Sequence, residues 1–242
     1  PGEKTSQEIV DLTQEYVRTV KKESVLCRRD VPGFIINRLF IPMVHEACYM
    51  MDRTGATMTE IDSAVKFKLG FPMGIFELAD FTGMDVIHKA TIEMHLRDKK
   101  VILPHPTIEK MFDAKKLGQK SGEGFYKYVD GAMRPLAKAS PPTARPASVW
   151  VSRHYPESHA LVTFLIWDLG GNLETGDRPS EGALCIVTPR GGDATSRAVE
   201  EQLDPQRTIA IDTLFGTTTH RTLMATPITT PAMREAALGL FQ

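Results

Sequence analysis

The hydrophobic rhythm of the chain changes half-way along. In the first half, apolar residues recur at helical spacing, beginning with Ile9, Leu12, Tyr16 and Val20, and almost no strict alternation interrupts them. Thr5 and Glu8 stand at capping-box spacing ahead of that stripe, so a helix is expected to start there. Val25-Leu26-Cys27 is a short apolar run that reads as a strand. Asp30 is placed to cap the next helix, with Pro32 in its first turn, where a missing N–H is harmless. The helical pattern then runs from Phe34 to about Arg53, with a bend expected at Pro42 and a stop at Gly55. Further helices are expected from Thr59 to Gly70, from Phe76, from Asp85 to Leu96, and from Pro106 to Lys116, ended by Gly118. This half reads as an all-α bundle.

Residues 130–146 break the pattern. Pro135, Pro141, Pro142 and Pro146 among small residues have the composition of a linker. Beyond it, strands (147–152, 183–188, 208–212, 221–226) alternate with helices (158–169, 194–202, 231–241), which predicts a small α/β layer with a mainly parallel sheet.

Composition narrows the function classes. The 242 residues carry a formal net charge of −1, so no global basic field points to nucleic acid or to an anionic membrane surface. The longest apolar run, Ala160 to Trp167, is far short of the ~18 residues of a membrane span. Three scattered cysteines, Cys27, Cys48 and Cys185, do not make a disulfide framework or a zinc site, and they fit a reducing cytoplasm. The first residue is Pro1 rather than Met, inside a charged amphipathic stretch, which suggests a piece of a longer chain.

The candidate chemistry centres on Asn37, a polar amide at an otherwise apolar helix start. It either finds a partner inside the protein or presents its amide to a ligand carbonyl such as a thioester. Leu117-Gly-Gln-Lys-Ser-Gly-Glu-Gly-Phe-Tyr126 has the look of a phosphate loop but fails the Walker spacing, because Gln119 precedes Lys120. A tight turn docking Phe125 and Tyr126 is the better reading, with Lys120 left as a possible phosphate contact. Thr188-Pro-Arg-Gly-Gly-Asp193 lies between a strand and a helix yet lacks the G-x-G-x-x-G fingerprint. The earlier turn Arg153-His-Tyr-Pro156 has no glycine at all, which argues against a nucleotide there. His88, Glu93 and His95 do not share one helical face, and the neighbours His45 and Glu46 point different ways, so neither set reads as a metal site or an acid–base pair.

Taken together, Asp30-Val-Pro-Gly-Phe-Ile-Ile-Asn-Arg38, Glu46-Ala47, Ile61-Asp62, Gly70-Phe-Pro-Met-Gly74, Phe76-Glu-Leu-Ala-Asp80 and Leu117–Tyr126 resemble, in order and spacing, the C-terminal domain of 3-hydroxyacyl-CoA dehydrogenases. Leu203-Asp-Pro205, Ala210–Phe215 and His220–Pro227 more loosely resemble the degenerate second dehydrogenase half of long bacterial members. The resemblance implies a multi-domain chain: residues 1–24 as the last helix of a missing NAD-binding domain, 25–128 as a helical substrate and dimerisation domain of the 6-phosphogluconate-dehydrogenase C-terminal type, 129–146 as a linker, and 147–242 as a small Rossmann-like α/β domain. It implies NAD-linked oxidation of a 3-hydroxyacyl-CoA in β-oxidation or a related route. The family's catalytic histidine–glutamate pair and its cofactor loop are expected in the missing domain, so no catalytic residue is assigned here. Asn37 matches the asparagine of the P-G-F-x-x-N-R motif at the active-site cleft, and Pro72, Met73 and Phe76 are expected to line the acyl channel. A homodimer through the helical domain is expected. Two rivals remain: a non-catalytic acyl-CoA-binding or dimerisation module that needs a separate nucleotide-binding subunit, and a relative acting on another hydroxy acid.

Overall fold

The computed structural model describes residues 1–100, 103–134, 142–218 and 220–242. It divides into two compact units, one of Pro1–Lys66 and Phe71–Pro135 and one of Phe67–Gly70 and Leu136–Gln242.

The first unit contains α1 (Gln7–Thr19), α2 (Ile36–Thr54), α3 (Met58–Lys68), α4 (Ile75–Thr82), α5 (Met84–Arg97) and α6 (Pro106–Asp113), then a 3₁₀ turn over Gln119–Ser121 and a small antiparallel hairpin, β1 (Tyr128–Val129) and β2 (Ala132–Met133). Its core is formed by Phe40, Ile41 and Val44 of α2 with Ile61, Phe76, Met84, Ile87 and Ile108 from α3, α4, α5 and α6. The cap of α1 is Ser6, whose side chain accepts the Ile9 amide, while Thr5 bonds Gly2 instead. The predicted stripe is present in α1, yet Ile9, Leu12, Tyr16 and Val20 are all exposed and only Val10 is buried.

Three expectations are corrected. Val25-Leu26-Cys27 is irregular; no strand among the described residues pairs with it, and Val25 is 80% exposed. Asp30 does not cap α2, because a turn intervenes: the Phe34 N–H donates to the Val31 carbonyl at 3.0 Å, with Pro32 second and Gly33 third at φ +79°. Pro then Gly with positive φ is the type II arrangement, and the helix can begin only after it, at Ile36. The stretch taken as a linker begins with structure, since Asp130 (φ +51°) and Gly131 (φ +77°) make the hairpin turn between β1 and β2. Pro135 and Pro141 lie outside the described residues. The end of that stretch is docked on the second unit: Gln242 donates to the Pro142 carbonyl at 2.9 Å and Arg145 to the Leu169 carbonyl at 2.8 Å.

The second unit carries a four-stranded sheet in the order β3 (Val149–Val151), β4 (Leu184–Val187), β5 (Thr208–Ile211), β6 (Leu223–Ala225), with the first two pairings parallel and the last antiparallel. Period-2 alternation sorts its residues. Val149, Val151, Leu184, Ile186, Ile209 and Ile211 face α7 (Pro156–Asp168) and α9 (Pro231–Leu240). Trp150, Cys185, Val187 and Ala210 face α8 (Ala194–Glu200). Leu173 bridges Val149 in parallel on the edge of β3 away from β4. The chain therefore leaves β3 by α7 toward one edge and returns as β4 on the other, which is a doubly wound start. No helix among the described residues is long and apolar enough to cross a membrane.

Candidate functional site

The type II turn at Val31–Phe34 and the C-terminal half of α5 form two walls of an open groove of about 270 Å³, lined by Asp30, Val31, Pro32, Gly33, Phe34, Asn37, Ala90, Glu93, Met94 and Arg97. Gly33 is required here twice over. Its φ is positive, and a Cβ would lie 2.5 Å from the Met94 sulfur. Ala90, Glu93, Met94 and Arg97 are spaced i, i+3, i+4 and i+7, so α5 presents all four on one face. Across the helices, Arg38 Nη2 meets Asp98 Oδ2 at 2.9 Å, and this guanidinium hydrogen bond holds the Asp98 carboxyl below its usual range. On the outer wall, Arg97 stands 3.8 Å from Glu93.

Asn37 sits in the first turn of α2, half-buried, with its side chain in the groove lining and no side-chain hydrogen bond to any described residue. Of the two readings the sequence left open, an amide satisfied by its own protein is not found among the described residues. The groove offers a neutral donor and acceptor against the apolar surface of Val31, Pro32, Phe34, Ala90 and Met94, with charges from Asp30, Glu93 and Arg97. Such a lining can orient a carbonyl.

The other predicted residues do not join it. Pro72 is exposed, Met73 is half-buried, and neither lines the groove. Phe76 is a core residue rather than a channel wall: it is fully buried, its ring 4.4 Å from that of Phe125. The sequence reading missed the α5 wall, although the 90, 93, 94, 97 spacing was there to read.

A second polar cluster supports the bundle. Asp62, buried on α3, accepts the Phe76 and Glu77 amides at 2.8 and 3.1 Å and so caps α4 from another helix. Asp80 accepts the Phe125 and Tyr126 amides, each at 2.8 Å, and the Tyr128 hydroxyl at 3.0 Å. Burial raises the pKa of both carboxyls above the usual range, against the hydrogen bonds that lower it. The Leu117–Tyr126 segment is thus the docking turn predicted for it, and Lys120 is engaged with Asp85 rather than facing a ligand. Among the described residues, no three His, Cys, Asp or Glu groups are gathered as metal ligands; His88 stacks on Phe112 at 4.2 Å.

The second unit has the strand order of a dinucleotide fold but not its loops. The strand order reverses between β3 and β4, so a cofactor would enter over Ser152–Pro156 and Thr188–Asp193. That place is filled by side chains. The Tyr155 ring lies under the Arg190 and Arg197 guanidinium groups at 4.9 and 5.2 Å, and Arg190 Nε reaches Ser158 at 3.2 Å. A pyrophosphate needs glycine backbone at this turn, and the first loop has none. These residues do not fit NAD.

Residues 33–128 match the family model described as 3-hydroxyacyl-CoA dehydrogenase, C-terminal domain. This segment, with Asn37 and the α5 wall inside it, belongs to that domain family. The chain is 39% identical over 126 residues to the mitochondrial hydroxyacyl-coenzyme A dehydrogenase of Homo sapiens, covering 51% of this chain and 40% of the relative. It is 40% identical over 126 residues to a probable 3-hydroxyacyl-CoA dehydrogenase of Caenorhabditis elegans, with the same coverage. It therefore spans about 40% of the length of these 3-hydroxyacyl-CoA dehydrogenase relatives. The crystal structure of 3-hydroxybutyryl-CoA dehydrogenase from Escherichia coli K12 aligns with all of this chain and 46% of its own, at a TM-score of 0.64 and 23% identity, a likeness of fold.

Proposed function

We propose that this chain supplies the acyl-binding wall of an NAD-dependent 3-hydroxyacyl-CoA dehydrogenase working in fatty-acid or related acyl-CoA degradation. The observation that carries the reading is Asn37: a half-buried amide, without a hydrogen bond to any described residue, in an apolar groove. Its NH₂ donates to the thioester or 3-keto oxygen of the acyl group and orients it. Hydride transfer is assigned to a separate dinucleotide domain, since the loop after β3 of the second unit has no glycine to admit a pyrophosphate. On this reading residues 1–242 alone do not turn over substrate.

A twin subunit is proposed to pack on the start of α2, where Ile36 and Leu39 stand 70% and 62% exposed. A reducing compartment such as the cytoplasm fits the free Cys27, Cys48 and Cys185.

Calorimetric titration with acetoacetyl-CoA tests the reading. Binding to the unaltered chain, weakened roughly two- to tenfold by Asn37→Ala, is expected from the loss of one hydrogen bond. Equal affinities for the two proteins would remove Asn37 from the site. NADH oxidation by the chain alone above background would overturn the assignment of hydride chemistry elsewhere.

A further inference from the structure

Two buried histidines take no part in the groove. His45 of α2 is wholly buried, and His105, at the cap of α6, is 2% exposed. The His105 backbone N–H donates to His45 Nδ1 at 3.2 Å. A ring nitrogen that accepts carries no proton, so the proton of neutral His45 is on Nε2. Nε2 lies 3.0 Å from Thr91 Oγ1, and Thr91 passes its own hydroxyl proton to the Ile87 carbonyl at 2.7 Å. Every donor in this path has an acceptor. The same logic fixes His105: its Nδ1 accepts the Thr107 amide at 3.2 Å, leaving Nε2–H to face Asp52 Oδ2 at 3.2 Å. Tyr49 packs edge-on against the His105 ring, with centroids 4.5 Å apart.

We propose that His45 and His105 form a clamp, each ring accepting an amide at Nδ1 and presenting Nε2–H, that fixes α2 against α5 and the start of α6 and so sets the width of the Asn37 groove. His45 is eight residues beyond Asn37 on α2. Thr91 adjoins Ala90 and precedes Met94 by one turn, and both of those line the α5 wall. His45 is thus a positioning residue: it joins the two helices that carry the groove without entering it. The titratable groups packed near it are His105, Cys48 on its own helix, and Asp52 behind His105. Burial, with the second histidine nearby, lowers the pKa of His45 to about 4, which keeps His45 neutral at pH 7.

The clamp itself stands apart from the acyl-CoA reading; only its effect on binding rests on that reading. The test uses the full chain. Histidine ring nitrogens are assigned by long-range ¹⁵N–¹H correlation at pH 7, amide exchange is followed at His105, and acetoacetyl-CoA is titrated calorimetrically. Both rings are expected as the Nε2–H tautomer. His45→Leu removes the acceptor and is expected to speed exchange of the His105 amide on the order of tenfold and to weaken acetoacetyl-CoA. His45→Asn places an amide oxygen near the former Nδ1 and is expected to restore most of the His105 protection. An Nδ1–H or doubly protonated His45 at pH 7 overturns the clamp, even if His45→Leu does not fold. So does unchanged His105 exchange in His45→Leu. If the parent chain fails to bind acetoacetyl-CoA while the tautomers and exchange come out as stated, the clamp stands and the acyl-CoA reading falls.

Discussion

The Tyr126 hydroxyl donates to Asp62 Oδ2 at 2.8 Å, linking two residues 64 positions apart in the sequence. Asp62 already caps α4 through the Phe76 and Glu77 amides, so this bond fastens the end of the bundle to its middle. Tyr126→Phe keeps the ring packing and deletes only the donor. It is expected to lower unfolding stability by about 0.5–1.5 kcal/mol, because Asp62 keeps its two amide partners. Urea unfolding of the two proteins checks this, and an unchanged midpoint would show that the bond is not formed in solution. Asp80→Asn should cost more. An amide oxygen can replace only one carboxylate oxygen, so one of the Phe125 and Tyr126 amides is left without its acceptor, at about 1–3 kcal/mol.

The glycines of the docking turn separate packing from backbone strain. A Cβ on Gly124 would overlap the Asp80 carboxylate, whereas a Cβ on Gly122 would be 3.9 Å from the Tyr128 carbonyl and meet only the strain of φ +79°. Gly124→Ala is therefore expected to destabilise by more than Gly122→Ala, about 1–3 against about 1 kcal/mol. Thermal melts of both variants give the order, and the reverse order would mean that the turn does not sit on Asp80.

The helix and strand pattern was largely legible because burial follows periodicity, as with Val149 and Val151 against Trp150. The misses share a cause. Local signals of two to four residues were read without knowing their neighbours. Val25-Leu26-Cys27 has strand composition but no strand among the described residues to pair with, and Asp130-Gly131 is a hairpin signal that was absorbed into a proline-rich stretch. In the site, Asn37 was legible from its polarity in an apolar setting. The α5 stripe at 90, 93, 94 and 97 was legible as a helix face, but nothing local says that it faces Asn37, and the His45–His105 pair was not legible because the partners of His45 are 46 and 60 residues away. His105, which stands between Pro104 and Pro106, is a buried helix cap.

Acid should act on the protein through His45. Its folded pKa is depressed to about 4 from the ordinary histidine value of 6.5, so it contributes stability that is whole above pH 6.5 and is lost as the pH falls through 4. The loss amounts to roughly 3 kcal/mol across that window. The raised carboxyls of Asp62 and Asp80 act in the opposite sense. What they contribute is present below their unfolded pKa and fades as the pH rises through the folded one. Comparing unfolding free energies at pH 7.5 and pH 4 isolates the histidine: His45→Asn is expected to lose about 3 kcal/mol less than the unaltered chain. Equal losses would mean that His45 is not held neutral.

Asn37 should separate binding from folding. Its side chain makes no hydrogen bond to the described residues and its neighbours form an open groove, so Asn37→Ala removes no internal partner. Unfolding stability is expected to change by no more than about 0.5 kcal/mol, as for a surface substitution. Arg38, the next residue, is the contrast. It joins α2 to the end of α5 through Asp98, with both side chains about one-third exposed, so Arg38→Ala should loosen the groove wall itself. Screening by solvent keeps the stability cost of that ion pair small. Parallel urea titrations and acetoacetyl-CoA calorimetry on the two variants give the comparison. A ligand-facing Asn37 requires weaker binding at unchanged stability, and a stability loss above about 1 kcal/mol in Asn37→Ala would place the amide in the protein's own hydrogen-bond network instead.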